Sequence, residues 1–124
     1  IAISKGLVVE KAVLLAPPES YENFARYFAS IKGLTPQQVD QMIEHLQAIG
    51  VRVKITTSEL ASAFDLPGLI IHSSDDAITA LENSQLITSK WANSTFMPVN
   101  DLGHRGILRD QTVIKTVCEF IFRA

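Results

Sequence analysis

The sequence predicts an α/β fold, a partial doubly wound parallel sheet of about three strands with flanking helices and a lid-like helical insertion. Three strand-like runs, at 11–16, 68–73 and 95–99, support this prediction. Segments with helical periodicity lie between and after these runs, and such alternation implies right-handed crossovers. About fifty residues separate the first two runs, which is more than one crossover needs.

Composition and charge exclude several classes of protein. The chain has 124 residues, of which 47% are hydrophobic, so it is long enough for one domain with a core and is not disordered. The formal net charge is -2 and the charges are scattered, so we expect no nucleic-acid partner and no membrane surface as partner. The sequence shows no bilayer-length apolar run and no secretory signal, which predicts a cytoplasmic protein.

Two further features bear on location and completeness. The single cysteine, Cys118, lies in a strongly apolar helical pattern, which predicts a buried thiol in a reducing compartment. The chain begins at Ile1 rather than at methionine, so we expect it to be a processed or truncated piece of a longer protein.

Local signals place the first strand and the first helix. Residues 1–7 have the pattern of a helix end that stops near Gly6, and the 11–16 run ends at Pro17-Pro18 because proline cannot donate to a ladder. Ser20 is the predicted N-cap of the next helix, which ends near Gly33. Its apolar face is predicted to contain Tyr21, Phe24, Ala25, Phe28 and Ile31.

A second helix carries the strongest local signal in the sequence. Thr35-Pro36-Gln37-Gln38 combines a capping box with proline at the first helical position, and the apolar periodicity continues to Gly50. The alternation over 51–55 is too short to favour a strand. Ser58 is the expected cap of a short helix that reaches Phe64.

The remaining elements complete the alternation. We predict a strand at 68–73, a helix at 78–91, a strand at 95–99, and a closing helix at 111–122 behind an Asp110 cap. The helical pair at about 20–50 is then an insertion over the carboxyl ends of the strands. Ligands bind at that end of open α/β sheets, so the insertion is placed to act as a lid.

Polar residues follow two of the predicted strands. Asp75 and Asp76 come directly after the second strand, and His104 follows the third in a glycine-flanked turn. Acid before base is the order found in the nucleophile–acid–base series of some hydrolases, in which the carboxylate orients the imidazole. The upstream G-x-S-x-G motif is missing. Helix capping remains an alternative for both aspartates, and a backbone hydrogen bond for the histidine.

Other polar and aromatic residues are expected to be structural. His72 ends a buried strand and is interpreted as a hydrogen-bonded core histidine or as one that supports a neighbouring site residue. His45 is interpreted as a solvated histidine. Neither Ser73 nor Ser74 lies in the glycine-flanked turn expected of a nucleophilic serine, so both are interpreted as loop-forming residues. Trp91 and the phenylalanines are expected in the core. A metal site formed by the histidines and aspartates matches no strong spacing motif, so we expect no metal and no organic cofactor.

From Leu7 onward the chain resembles the C-terminal half of an α/β-hydrolase fold protein. The 7–18 segment resembles the strand after the nucleophile helix, 69–76 the acid loop, and 102–110 the histidine loop. The resemblance implies that Asp76 is the acid, because it lies two residues before the aliphatic Ile78, and that His104 is the general base. The family usually has proline after that aliphatic residue, whereas this chain has Thr79, so Asp75 stays open as the alternative acid.

The resemblance also implies a function. Residues 1–124 would form the C-terminal part of one hydrolase domain, with a helical cap at about 20–50, and the missing half would supply a serine nucleophile. The expected reaction is hydrolysis of an ester, thioester or amide carbonyl, and the isolated chain is expected to be inactive. The small-molecule acyl substrate would occupy a pocket shaped by Phe24, Tyr27, Phe28 and Met42. The alternative is a non-catalytic hydrolase-like domain that binds a ligand or a protein.

Two structural expectations follow from this interpretation. The Asp76 carboxylate should lie within hydrogen-bond reach of His104, roughly 2.6–3.2 Å. The 11–16 strand would lack the partner that the nucleophile-bearing strand provides, with Lys11 as its single guard. An unpaired apolar edge favours pairing with another chain, so we expect a homo-oligomer.

Overall fold

The computed structural model describes residues 2–123 and contains a three-stranded parallel sheet in the order β1-β2-β3. This arrangement confirms the predicted fold class. The elements in chain order are a 3-10 turn at Ile3–Lys5, β1 at Ala12–Leu15, α1 at Tyr21–Ile31, α2 at Pro36–Ala48, α3 at Thr57–Ala61, β2 at Gly68–Ser73, α4 at Leu81–Lys90, β3 at Ser94–Val99, α5 at Gly103–Gly106 and α6 at Gln111–Phe122.

The central strand β2 organises the fold. All six of its residues are buried, and it pairs in parallel with β1 on one side and β3 on the other. Leu14 pairs with Ile70, which in turn pairs with Phe96. A strand covered on both faces can be apolar at every position, which is why this segment shows no alternation.

Two apolar layers cover the faces of the sheet. On one face Ile70 packs with Ala61, Ile87 and Trp91, whose indole donates to the Leu66 carbonyl at 3.0 Å. The opposite layer consists of Leu69, Ile71, Ile107 and Val113. A separate small cluster of Ala29, Val39, Ile43 and Val53 joins α1 to α2.

Three predicted helix caps are confirmed. The Ser20 side chain accepts from the Asn23 N–H, and the Asp110 side chain accepts from the Val113 N–H. Thr35 and Gln38 form the reciprocal capping box. Each cap satisfies an N–H group that the first turn of a helix leaves without an intrahelical partner.

Two predicted helix starts are wrong. Helix α3 is capped by Thr56, in a capping box with Glu59, because the Ser58 hydroxyl instead donates to Glu19. Helix α4 begins at Leu81 rather than at position 78. The Asp76 carboxylate accepts from the N–H groups of Ile78 and Thr79, so the backbone bends at 77–79 before α4 begins.

The burial of several apolar residues also differs from the prediction. On α1, Ala29 is buried, whereas much of the predicted apolar face is exposed, with Phe28 at 52%. The reason is that α1 packs on α2 through its small residues. Phe122 is exposed as well, so the phenylalanines are not all core residues.

Cys118 is exposed, so the predicted buried thiol is wrong. Helix α6 turns Val113, Val117 and Phe120 toward the sheet, and Cys118 lies outside that face. The cysteine therefore supports no inference about the compartment.

The charge of Lys11 does not shield the open edge of β1. The Lys11 ammonium donates to the carbonyl of Phe120 at 2.8 Å and to that of Arg123, so it caps the end of α6. The N–H groups of Ala12 and Ala16 point to the β2 side. By alternation, those of Val13 and Leu15 point to the open side of the strand.

Gly68 provides the space that Trp91 occupies, and this contact yields a stability prediction. A Cβ at position 68 would overlap the buried Trp91 ring. We expect Gly68→Ala to lower the free energy of unfolding by about 1–3 kcal/mol, measured by urea denaturation. Gly106→Ala is the control, because its Cβ would approach Leu102 only to an ordinary 3.6 Å. Equal midpoints for the two variants would contradict the prediction.

Candidate functional site

The candidate site lies where β2 and β3 end. The two strands are parallel neighbours, so the loops that follow them meet at one edge of the sheet. The first loop carries Asp75 and Asp76, and the second carries His104 at the start of the short helix α5. Residues separated by 28 positions in the chain are thereby brought into contact.

Asp76 and His104 form a hydrogen-bonded pair. The distance from His104 Nδ1 to Asp76 Oδ2 is 2.8 Å. The Asp76 side chain is completely enclosed, whereas the His104 side chain is 32% exposed. Asp76 is therefore the aspartate that contacts the imidazole. The imidazole Nε2 has no hydrogen-bond partner among residues 2–123.

Several other donors hold the Asp76 carboxylate. Its Oδ1 accepts from the N–H groups of Ile78 at 2.8 Å and Thr79 at 2.9 Å, and its Oδ2 faces the Thr79 hydroxyl at 3.1 Å. Burial opposes ionisation of this carboxyl. The hydrogen bonds from Thr79, His104 and Ile78 outweigh it, so the pKa of Asp76 lies below its ordinary value. Asp76 thus caps a turn and contacts His104 with the same group.

Asp75 does not contact His104, and it does not cap α4, the helix that follows it. Its Oδ1 accepts from the Gly103 N–H at 3.0 Å and from the Ser73 hydroxyl. The Ser73 oxygen in turn accepts from the Leu102 N–H at 3.2 Å. The hydrogen bond from Ser73, followed by the one from Gly103, lowers the pKa of Asp75. The prediction that Asp75 caps the helix after it is therefore wrong, and Asp75 instead ties the start of α5 to the end of β2.

His72 is a buried, hydrogen-bonded histidine, which confirms the sequence interpretation. Its ring lies between Ser84 Oγ at 2.6 Å and the Thr79 carbonyl at 2.9 Å. Its Nε2 also lies 3.2 Å from Asp76 Oδ2, which fits the alternative that His72 supports a site residue. The two side chains are four positions apart, on either side of the end of β2.

The remaining candidates lie elsewhere. His45 is exposed on α2, and the Ser74 hydroxyl donates to Asn100 at 2.7 Å in the loop. Within residues 2–123, no group of three or more histidine, cysteine, aspartate or glutamate residues is arranged to hold a metal ion.

A pocket of about 300 Å³ adjoins the pair through Thr79, which contacts both Asp76 and His104. Phe24 and Tyr27 line it as expected. Phe28 and Met42 do not line it, because Phe28 lies one helical turn beyond Phe24 and Met42 packs on the cluster that joins α1 to α2. Its lining consists of Pro18, Glu19, Ser20, Asn23, Phe24, Tyr27, Ile78, Thr79, Ala80 and Asn83.

No family model and no curated protein matches this chain. Solved structures do. An esterase from Rhodococcus sp. ECU1013 shares 15% identity at a TM-score of 0.61, over 98% of this chain and 59% of the esterase. A thermophilic esterase from Thermogutta terrifontis shares 17% identity at a TM-score of 0.55, over 90% of this chain and 55% of the esterase. A Mycobacterium tuberculosis protein proposed to be a non-haem bromoperoxidase shares 15% identity at a TM-score of 0.58, over 92% of this chain and 57% of that protein.

These comparisons show the fold. The chain has the arrangement of part of an α/β-hydrolase fold and spans less than two thirds of the length of each of these three structures. A fold does not by itself fix an activity. Across residues 2–123, no helix has the length and apolar character needed to cross a membrane.

The lowered pKa of Asp76 predicts how stability depends on pH. A carboxyl whose pKa is depressed by folding stabilises the protein above its unfolded pKa, about 3.9, and loses that contribution as the pH falls through the folded pKa. We expect Asp76→Asn to lower the free energy of unfolding at pH 7 by about 1–3 kcal/mol and to flatten its decline below about pH 4.

Urea denaturation between pH 7 and pH 3 measures both effects. Glu44→Gln, at an exposed position on α2, is the matched control and should follow the parent protein. An Asp76→Asn profile parallel to that of the parent would show that the carboxylate is not stabilised by its donors.

Proposed function

We propose that this chain contributes the acid and the general base of a serine hydrolase that acts on an ester, thioester or amide carbonyl. The observation that carries the proposal is the 2.8 Å contact between the enclosed Asp76 carboxylate and His104 Nδ1. An imidazole held at one nitrogen and free at the other is what base catalysis by histidine requires.

The roles of the two side chains follow from their atoms. Asp76 would keep the proton of His104 on Nδ1, which leaves the Nε2 lone pair available. Nε2 would take the proton of a serine hydroxyl during attack and return it to the leaving group. The ionised carboxylate, with its lowered pKa, would stabilise the imidazolium that forms between these steps.

The nucleophile would come from a segment outside these 124 residues. The Ser73 side chain is enclosed and hydrogen-bonded to Asp75 and Leu102, and the Ser74 hydroxyl is hydrogen-bonded to Asn100. Neither hydroxyl is hydrogen-bonded to His104. The matched structures are longer than the aligned region, which supports a catalytic unit larger than this chain.

The pocket beside Thr79 is the proposed acyl site. It brings two aromatic side chains, Phe24 and Tyr27, against a wall formed by Ile78 and Thr79. The lining is mixed, because half of its residues are polar, namely Glu19, Ser20, Asn23, Thr79 and Asn83. A concave pocket with polar groups next to the acid–base pair is where we place the small-molecule substrate. We propose that α1, and with it the 20–50 helical pair, covers the substrate.

The activity test compares the isolated chain with the longer protein that contains it. We expect the isolated chain to hydrolyse an activated aryl ester no faster than a histidine-containing control protein, because it lacks a nucleophile and an oxyanion hole. In the longer protein, His104→Ala and Asp76→Asn should each lower kcat on the order of 10⁴-fold.

Controls make this test specific. His45→Ala, at an exposed histidine of α2, should leave kcat unchanged. A fluorophosphonate probe should label one serine outside residues 1–124. Saturable turnover that survives His104→Ala would remove the hydrolase interpretation of this loop.

A non-catalytic binding domain is the second candidate. The observation that favours it is the exposed apolar stripe of α1, formed by Phe24, Phe28 and Ile31. Exposed apolar side chains in a row indicate a contact surface. A glycine or alanine in place of the nucleophile in the preceding segment would support this alternative, and a glycine-flanked serine would support catalysis.

We also propose that the chain self-associates through the open edge of β1. Both faces of this strand are covered, and only its edge offers unpaired backbone groups, at Val13 and Leu15. Lys11 is engaged with α6 and does not guard the edge. A cleft of about 410 Å³ runs beside the strand and includes Leu7 and Val9. Such an edge can pair with a strand of a second copy.

Sedimentation across a concentration series tests this association. We expect a dimer that is lost in Val13→Pro, which removes the outward N–H, and is retained in Val13→Ala, which shortens the side chain but keeps the donor. A strict monomer at high micromolar concentration would contradict edge pairing.

A further inference from the structure

We infer that His72 is a positioning residue for the acid–base pair, and that it acts by locking the 76–79 turn that holds the Asp76 carboxylate. This inference rests on the proposed roles of Asp76 and His104. It concerns hydrogen bonding within the folded chain, so it is tested without any measurement of turnover.

The contacts of His72 define the tautomer of its neutral ring. The ring is fully buried, with Nε2 at 2.9 Å from the Thr79 carbonyl and Nδ1 at 2.6 Å from Ser84 Oγ. A carbonyl can only accept, so Nε2 must carry a proton. In the neutral ring, Nδ1 then accepts from the Ser84 hydroxyl. The neutral ring is thus held as the Nε2–H tautomer by partners on two sides.

The 76–79 turn carries the donors on which Asp76 depends. The N–H groups of Ile78 and Thr79 hold Oδ1, and the Thr79 hydroxyl faces Oδ2. By donating to the Thr79 carbonyl, His72 ties this turn to the end of β2. Movement of the turn away from the carboxylate would therefore break the hydrogen bond that the buried His72 N–H donates to it.

His72 also faces the oxygen that contacts His104. Its Nε2 lies 3.2 Å from Asp76 Oδ2. The Thr79 hydroxyl has one proton but lies 3.1 Å from both Oδ2 and the Ala16 carbonyl, so it can serve only one of them at a time. The positive N–H edge of His72 is thus a fixed neighbour of Oδ2, which keeps the carboxylate aimed at His104.

Nitrogen-15 NMR of the histidine rings in the 124-residue chain tests the inference. In the parent chain we expect His104 to be mainly the Nδ1–H tautomer, held by Asp76. In His72→Leu, the Nδ1–H signals of His104 should lose intensity to the Nε2–H form. His72→Gln should show the same His104 tautomer as the parent chain, because its amide can donate to the Thr79 carbonyl.

Two further variants keep the test decisive. Ser84→Ala leaves the buried volume nearly unchanged and frees the His72 ring, so it should give a smaller shift in the same direction even if His72→Leu does not fold. Ile87→Val shortens a buried side chain on α4, the helix that carries Ser84, and should leave the His104 tautomer unchanged. An unchanged His104 tautomer in folded His72→Leu, or in Ser84→Ala where His72→Leu does not fold, would overturn the inference. If the parent chain lacks the Nδ1–H tautomer, the proposed function fails instead.

Discussion

The enclosed carboxylate of Asp76 is the constraint on which this part of the molecule depends. A buried charge is costly unless hydrogen bonds replace the water it loses. Here the replacements are two backbone N–H groups, a hydroxyl and an imidazole, which together lower the pKa of the carboxyl despite its burial. Those donors come from the loops after β2 and β3, so the requirements of one side chain hold the two loops together.

The two adjacent aspartates make different contacts. Asp75 receives the Gly103 N–H and the Ser73 hydroxyl, and in this way it fixes the path of the loop that carries His104. Asp76 then meets the imidazole itself. Asp101, near the start of the loop that carries His104, has a φ of 59°, a conformation that non-glycine residues rarely adopt. Strained backbone of this kind is retained where surrounding contacts over-determine it, and the Asp75 contacts provide such support.

Two exposed surfaces of the molecule adjoin the region of the site. The edge of β1 offers backbone donors beside a cleft, and α1 presents a stripe of aromatic and aliphatic side chains. The site lies close to both, because α1 lines the pocket that touches Thr79, and the Thr79 hydroxyl faces the carbonyl of Ala16, just beyond β1. The same fold in the matched structures extends over longer chains.

The sequence by itself determined what depends on neighbours within a few positions. The apolar run of β2, the caps at Ser20, Thr35 and Asp110, and the polar loops with their acid and base were all visible as local patterns. Such signals work because capping and strand burial are decided within about one turn or one strand.

Tertiary structure decided what depends on distant contacts. The choice of Asp76 over Asp75 rests on a hydrogen bond that spans 28 positions, and the tie of Lys11 to Phe120 spans 109. The exposure of Cys118 likewise follows from which face α6 turns to the sheet. A periodic pattern shows that a helix has an apolar face, but packing partners determine how much of that face is covered.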